Sequence, residues 1–129
     1  MVNREFMFER FLIVGLGSIG IRHARLVRKM MPETQIAVFR HQNALPPPDI
    51  EVDHCFSRIE EVRHFKPQVA VIANPASHHL DMALTLAQQG VHLLVEKPLY
   101  SKASQRVLEL IEICREHHVV LMVGYNLRF

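Results

Sequence analysis

Cysteine is scarce in this chain of 129 residues: Cys55 and Cys114 stand far apart, with no C-x-x-C or C-x-x-H spacing around either. That excludes a disulfide scaffold and a cysteine-built zinc site as organising devices, and a reducing, cytoplasmic setting is expected. Long apolar runs are missing too. No stretch reaches the roughly 18 apolar residues of a membrane helix. The opening MVNREFMFERFLIVG is interrupted by acidic residues and lacks a small-residue cleavage site, so neither secretion nor membrane insertion is expected. Charge of one sign is also in short supply. Fifteen Lys and Arg face thirteen Asp and Glu, for a net charge of +2, and the cations are scattered rather than massed, which gives a nucleic-acid surface no support. No internal repeat is present.

What remains is an ordinary single-domain composition, 49% hydrophobic and 22% charged, able to bury a core. Short β-branched or Leu-rich runs alternate with longer segments of helical periodicity. Strands are predicted over RFLIVG (10–15), QIAVFR (35–40), a weak VDHCF (52–56), QVAVIAN (68–74), VHLLVE (91–96) and VVLMVG (119–124). Most are apolar on both faces, the mark of a parallel sheet covered by crossover helices on each side. The fold expected is α/β: a Rossmann-type, doubly wound, mainly parallel six-stranded sheet of order 3-2-1-4-5-6.

Helices are predicted over 18–31, stopped by Pro32, over 76–89, ended by Gly90, and over 101–118, with Ser101 as N-cap. Their inward stripes are expected to be Ile19, His23, Leu26, Val27 and Met30; then Leu80, Ala83, Leu84 and Ala87; then Val107, Leu108, Ile111 and Cys114. Residues 57–64 read as at most a short helix. Pro46, Pro47 and Pro48 read as an extended surface path.

The chemistry starts at VGLGSIG, where Gly15-x-Gly17-x-x-Gly20 joins the first strand to the first helix. In that βαβ context Gly15 allows the tight turn, Gly17 admits a pyrophosphate and Gly20 lets helix and strand approach. The amides of Gly17, Ser18, Ile19 and Gly20, with the positive helix end, would hold the pyrophosphate. At the tip of the second strand, where an acid would read the ribose hydroxyls of NAD, stands Arg40, followed by His41. An arginine fork suits a 2′-phosphate, which favours NADP, with NAD as the alternative. A binder of S-adenosylmethionine would want an acid there. Asn74 and Pro75 end the fourth strand at the reversal of sheet order, where ligands bind. His79 is grouped with them, its plainer role being to cap or pack the helix start. A metal site at His78 and His79 is disfavoured, because adjacent helical residues diverge by about 100° and no third ligand has suitable spacing. Finally LLVEKPLYS ends a buried strand in Glu96, Lys97 and Pro98. Lys97 at a strand's carboxyl end could orient a hydroxyl or stabilise alkoxide charge, with Glu96 holding it.

Together GLGSIGIRHARL, NPASHHLDMALTLAQQGVHLLVEKPL and VGYNLRF resemble the Gfo/Idh/MocA oxidoreductases, whose motifs they match in order over nearly the whole chain. The resemblance implies hydride transfer between a nicotinamide cofactor and a sugar, cyclitol or related polyol, with Lys97 as the active-site lysine beside the nicotinamide and substrate hydroxyl, Glu96 counted with it among the cofactor-binding residues, and Tyr125, Asn126 and Arg128 near the same rim. It also implies a second, substrate-binding domain of which this chain shows nothing. The expectation for residues 1–129 is therefore a dinucleotide-binding domain that binds cofactor without full activity, possible oligomers, and no nucleic-acid or membrane partner. A stand-alone nucleotide-binding regulatory or redox-sensing module is the alternative.

Overall fold

A computed structural model describes residues 8–40, 51–97, 99 and 105–124. In chain order the elements are β1 Arg10–Val14, α1 Ser18–Met30, β2 Gln35–Phe39, β3 His54–Phe56, α2 Ile59–Phe65, β4 Val69–Ile72, a 3-10 turn Ala76–His78, α3 His79–Gln88, β5 His92–Glu96, α4 Gln105–Glu116 and β6 Leu121–Gly124. The six strands form one sheet of order β3-β2-β1-β4-β5-β6, parallel at every pairing. This is the doubly wound arrangement expected from the strand composition. In register, Ile13 lies between Val38 and Val71, and Val95 between Ile72 and Val123.

Because side chains alternate along a strand, the sheet divides the core in two. One face collects Leu12, Val14, Ala70, Ile72, Leu93 and Val95 under α2, α3 and α4. The other collects Phe11, Ile13, Ile36, Val38 and Val71 under α1. The chain steps one way along the sheet from β1 to β2 and the opposite way from β4 to β6. Crossovers of one hand must then lie on opposite faces.

The inner face of α1 differs from the expected stripe. Gly20, Ala24 and Val27 are buried, while Ile19, Leu26 and Met30 are exposed, Met30 by 72%. Small residues face the sheet because the helix lies so close that larger ones have no room: a Cβ on Gly20 would sit 2.1 Å from the Gly15 carbonyl oxygen. A similar correction applies to α4. Leu110 and Cys114, one helical turn apart, are buried, and Val107 packs beside them, whereas Leu108 and Ile111 are exposed. Burial pushes the Cys114 thiol up, which keeps it protonated and inert. On α3 the expected Leu80, Ala83, Leu84 and Ala87 are all buried, and Gly90 follows in the left-handed conformation, φ 78°.

The short β3 is pinned from below. The Asp53 carboxylate accepts from the Ile36 amide and from Arg28 Nη2, each at 2.8 Å. Partial burial raises the acid's pKa, but these two donors outweigh it and hold the group below the usual carboxylate value. Among the described residues no helix is long and apolar enough to cross a membrane. Ser101, the proline triplet 46–48, His41, Pro98, Tyr125, Asn126 and Arg128 lie outside the described residues.

Candidate functional site

All six strands run the same way, so their carboxyl ends form one rim. Sheet order places the turn after β1 at its centre, Arg40 one strand to one side, Asn74 one strand to the other and Lys97 one strand further. With strands about 4.8 Å apart, the glycine turn and the lysine are separated across the sheet by about 10 Å.

The glycine turn is built by the absence of side chains. Gly15 has φ +91°, and a Cβ on it would meet the backbone of Ala73 and Asn74 at 2.9 Å. Gly20 seals the turn against Gly15 from the helix side. Gly17 is different in kind: nothing lies within 4 Å of where its Cβ would be, so its surface is open space. As N-cap of α1 it has no side chain to bond the first-turn amides, and that turn carries no acidic residue. Ser18 and Ile19 are exposed beside it. The result is a helix end whose first-turn donors no side chain caps, with positive partial charge and no acidic residue to meet it.

A cleft of about 360 Å³ opens on this turn, lined by Gly15, Leu16, Phe39, Arg40, Asn74 and Pro75 among others. Asn74 is the polar oddity here. Both its side-chain nitrogen and oxygen are buried and lack a hydrogen-bond partner. An amide left so costs roughly 1–3 kcal/mol, a cost that a ligand with donor and acceptor groups would remove. A larger groove of about 520 Å³ lies between β3 and α2, around His54, Phe56 and Phe65, but shares none of these residues. The smaller cleft, which joins Gly15 of the turn to Arg40 and the orphaned Asn74, is the better candidate.

His79 stands apart from the other predicted contacts. It is 2% exposed, with Nε2 2.5 Å from the Asn74 carbonyl oxygen. A carbonyl only accepts, so Nε2 carries the proton. His79 thus supports the turn from beneath, in the packing role foreseen for it, while its neighbour His78 is exposed. The expected continuous helix from Ala76 is instead a 3-10 turn leading into α3.

Lys97 follows β5 directly and is exposed at the rim. Glu96, buried to 9% exposure, points to the α1 side of the sheet and meets His23 Nε2 at 2.5 Å. His23, expected on the inward stripe of α1, and Glu96, expected to hold Lys97, thus meet each other. The signal that could have joined them was a lone imidazole on a packing helix and a carboxylate ending a buried strand, both of which need polar partners.

The residues present therefore fit a dinucleotide, on the open helix end and the orphaned Asn74 amide. Comparison with known proteins agrees. Residues 9–125 match the family model GFO_IDH_MocA, described as an oxidoreductase family with an NAD-binding Rossmann fold. The chain is 27% identical over 116 residues to the UDP-N-acetylglucosamine 3-dehydrogenase of Acidithiobacillus ferrooxidans, covering 88% of this chain and 36% of that protein. A solved structure of that enzyme superposes with TM-score 0.75, covering 89% of this chain and 36% of the other. The 2,7-anhydro-N-acetylneuraminate hydratase of Mediterraneibacter gnavus is 25% identical over 126 residues, covering 92% of this chain and 32% of that protein. The WlbA dehydrogenase of Bordetella pertussis, solved with NADH and UDP-GlcNAcA, shares the fold at 21% identity and TM-score 0.74, covering 90% of this chain and 36% of the other. The chain thus spans about a third of the curated relatives it matches. With the family match running through all six strands, this chain belongs to the Gfo/Idh/MocA oxidoreductase family, of which it presents the NAD-binding Rossmann domain.

Proposed function

We propose that this domain binds NADP(H) in preference to NAD(H), and that it serves a larger oxidoreductase acting on a sugar, cyclitol or sugar-nucleotide substrate. The observation that carries the cofactor reading is Arg40 lining the same cleft as Gly15 and Asn74. A guanidinium there offers a planar donor fork to a 2′-phosphate, and it cannot accept from ribose hydroxyls as a carboxylate would.

The cofactor would supply the hydride acceptor at its nicotinamide ring. The chain's own residues bind and orient it: the first-turn amides of α1 hold the pyrophosphate, Arg40 takes the adenosine side, and Asn74 offers its free donor and acceptor between the two ends. Lys97, on the far side of β4, is assigned the nicotinamide side. There its ammonium would orient a substrate hydroxyl and favour negative charge growing on that oxygen. The substrate class rests on the relatives, which include a UDP-N-acetylglucosamine dehydrogenase. The substrate pocket and the group that takes the hydroxyl proton are assigned to a second domain, outside the Rossmann domain described here.

Titration of the chain with NADPH and NADH, followed by fluorescence, tests this. Both are expected to bind, NADPH more tightly by about tenfold, the worth of one charge-assisted contact. Arg40→Asp should reverse the order. Tighter NADH binding by the unaltered chain would overturn the NADP preference, and failure of both cofactors would overturn the binding role.

A further inference from the structure

The His23–Glu96 contact joins two parts of the rim that the sequence keeps 73 residues apart. His23 lies on α1, one turn beyond the phosphate-facing amides. Glu96 is the last residue of β5, next to Lys97. The side chains are 21% and 12% exposed, so water competes little for the bond. A carboxylate only accepts, so Nε2 is the donor whether the imidazole is neutral or charged. The carboxylate also lies against β6, where a Cβ on Gly124 would sit 3.5 Å from Oε2 and 3.6 Å from Oε1. Helix, strand end and neighbouring strand therefore confine one carboxylate.

We propose that His23 and Glu96 form a positioning pair that couples the phosphate-binding helix end to the placement of Lys97. The pair is a strut. Motion of α1 at its N-terminus, as an anion docks on the amides, is transmitted through the imidazole to the end of β5, and the lysine's backbone moves with it. Breaking the strut leaves the amides in place but lets the strand end settle elsewhere. The two cofactor halves then lose their common geometry. This deepens the dinucleotide reading and rests on it, but the coupling has a readout of its own.

Three variants separate the roles: His23→Leu, which removes the donor; His23→Gln, which keeps a neutral donor of similar reach; and Glu96→Gln. Without cofactor, the Lys97 signal of reductively 13C-methylated protein, assigned with Lys97→Arg, should shift in His23→Leu and return towards its original position in His23→Gln. A change of local charge alone would affect both His23 variants equally. With cofactor, His23→Leu should weaken NADPH binding by about tenfold, the cost of one lost bond to a charged group. Binding of 2′-phospho-ADP-ribose, which lacks the nicotinamide, should change less than about twofold. Combining His23→Leu with Glu96→Gln should add little to either single change, as expected of residues acting as one unit. A Lys97 signal that is unmoved in His23→Leu, or equally moved in both His23 variants, overturns the coupling. Equal loss for both nucleotides overturns it as well. If neither nucleotide binds the unaltered chain, the dinucleotide reading falls while the resonance still decides the strut.

Discussion

Two strand-to-helix turns meet at the centre of the rim, and they are built in opposite ways. The turn after β1 is shaped by what is missing: Gly15 and Gly20 press backbone on backbone, and Gly17 leaves open space before an uncapped helix. The turn after β4 is shaped by what fills it: Pro75 precedes a 3-10 turn, and the buried His79 ring holds the Asn74 carbonyl. One turn leaves its helix end uncapped, and the other has its backbone carbonyl held internally. A ligand needs both, an open surface to bind and a firm wall to bind against. Asn74, with its orphaned amide, lines the cleft that Gly15 and Pro75 share.

The comparison breaks most severely at Gly20. With its would-be Cβ 2.1 Å from a carbonyl oxygen, Gly20→Ala must shift α1 against the turn after β1, because the atom it meets is backbone and not the end of a flexible side chain. The expected loss is roughly 3 kcal/mol, at the top of the usual overpacking range. Urea denaturation measures it. A loss under about 1 kcal/mol would mean that helix and strand are less tightly apposed than the close contact implies.

At the filled turn the corresponding change is His79→Leu, which keeps the bulk and removes the donor. The Asn74 carbonyl then loses its partner inside the protein, at a cost of about 1–3 kcal/mol. His79→Gln should restore part of that in the same denaturation measurement. Equal stability of all three proteins would show that the ring acts only as filler.

The sheet was legible in the sequence because strands buried on both faces are apolar throughout: Leu12, Ile13 and Val14 are buried on alternate sides, as are Ala70, Val71 and Ile72. Helix faces were less legible. Periodicity drew attention to the large residues Ile19, Leu26 and Met30, yet close packing on α1 selects the small Gly20 and Ala24. Size and burial point in opposite directions wherever backbones nearly touch. The glycine turn was readable for the same physical reason, since its pattern encodes contact distances. The His23–Glu96 pair was not. It depends on which face of β5 the glutamate takes and on where α1 crosses the sheet, and neither is a local property of the chain.

The smallest effect on the fold should come from Gly17, and it bears most directly on binding. Its φ of −74° suits alanine, and no atom lies within 4 Å of the added methyl. Alanine is a poorer N-cap than glycine, but it also reduces the freedom of the unfolded chain. These effects oppose each other, and stability should stay within about 0.5 kcal/mol of the unaltered protein. The methyl nevertheless enters the space that a pyrophosphate must occupy to reach the first-turn amides. Cofactor affinity should therefore fall by about tenfold or more, the equivalent of one charge-assisted contact, while the denaturation midpoint holds. In one turn, then, Gly20 and Gly17 should separate cleanly, one reporting on the fold and the other on the ligand. Unchanged affinity in Gly17→Ala would move the anion away from this helix end and leave the open turn without a function.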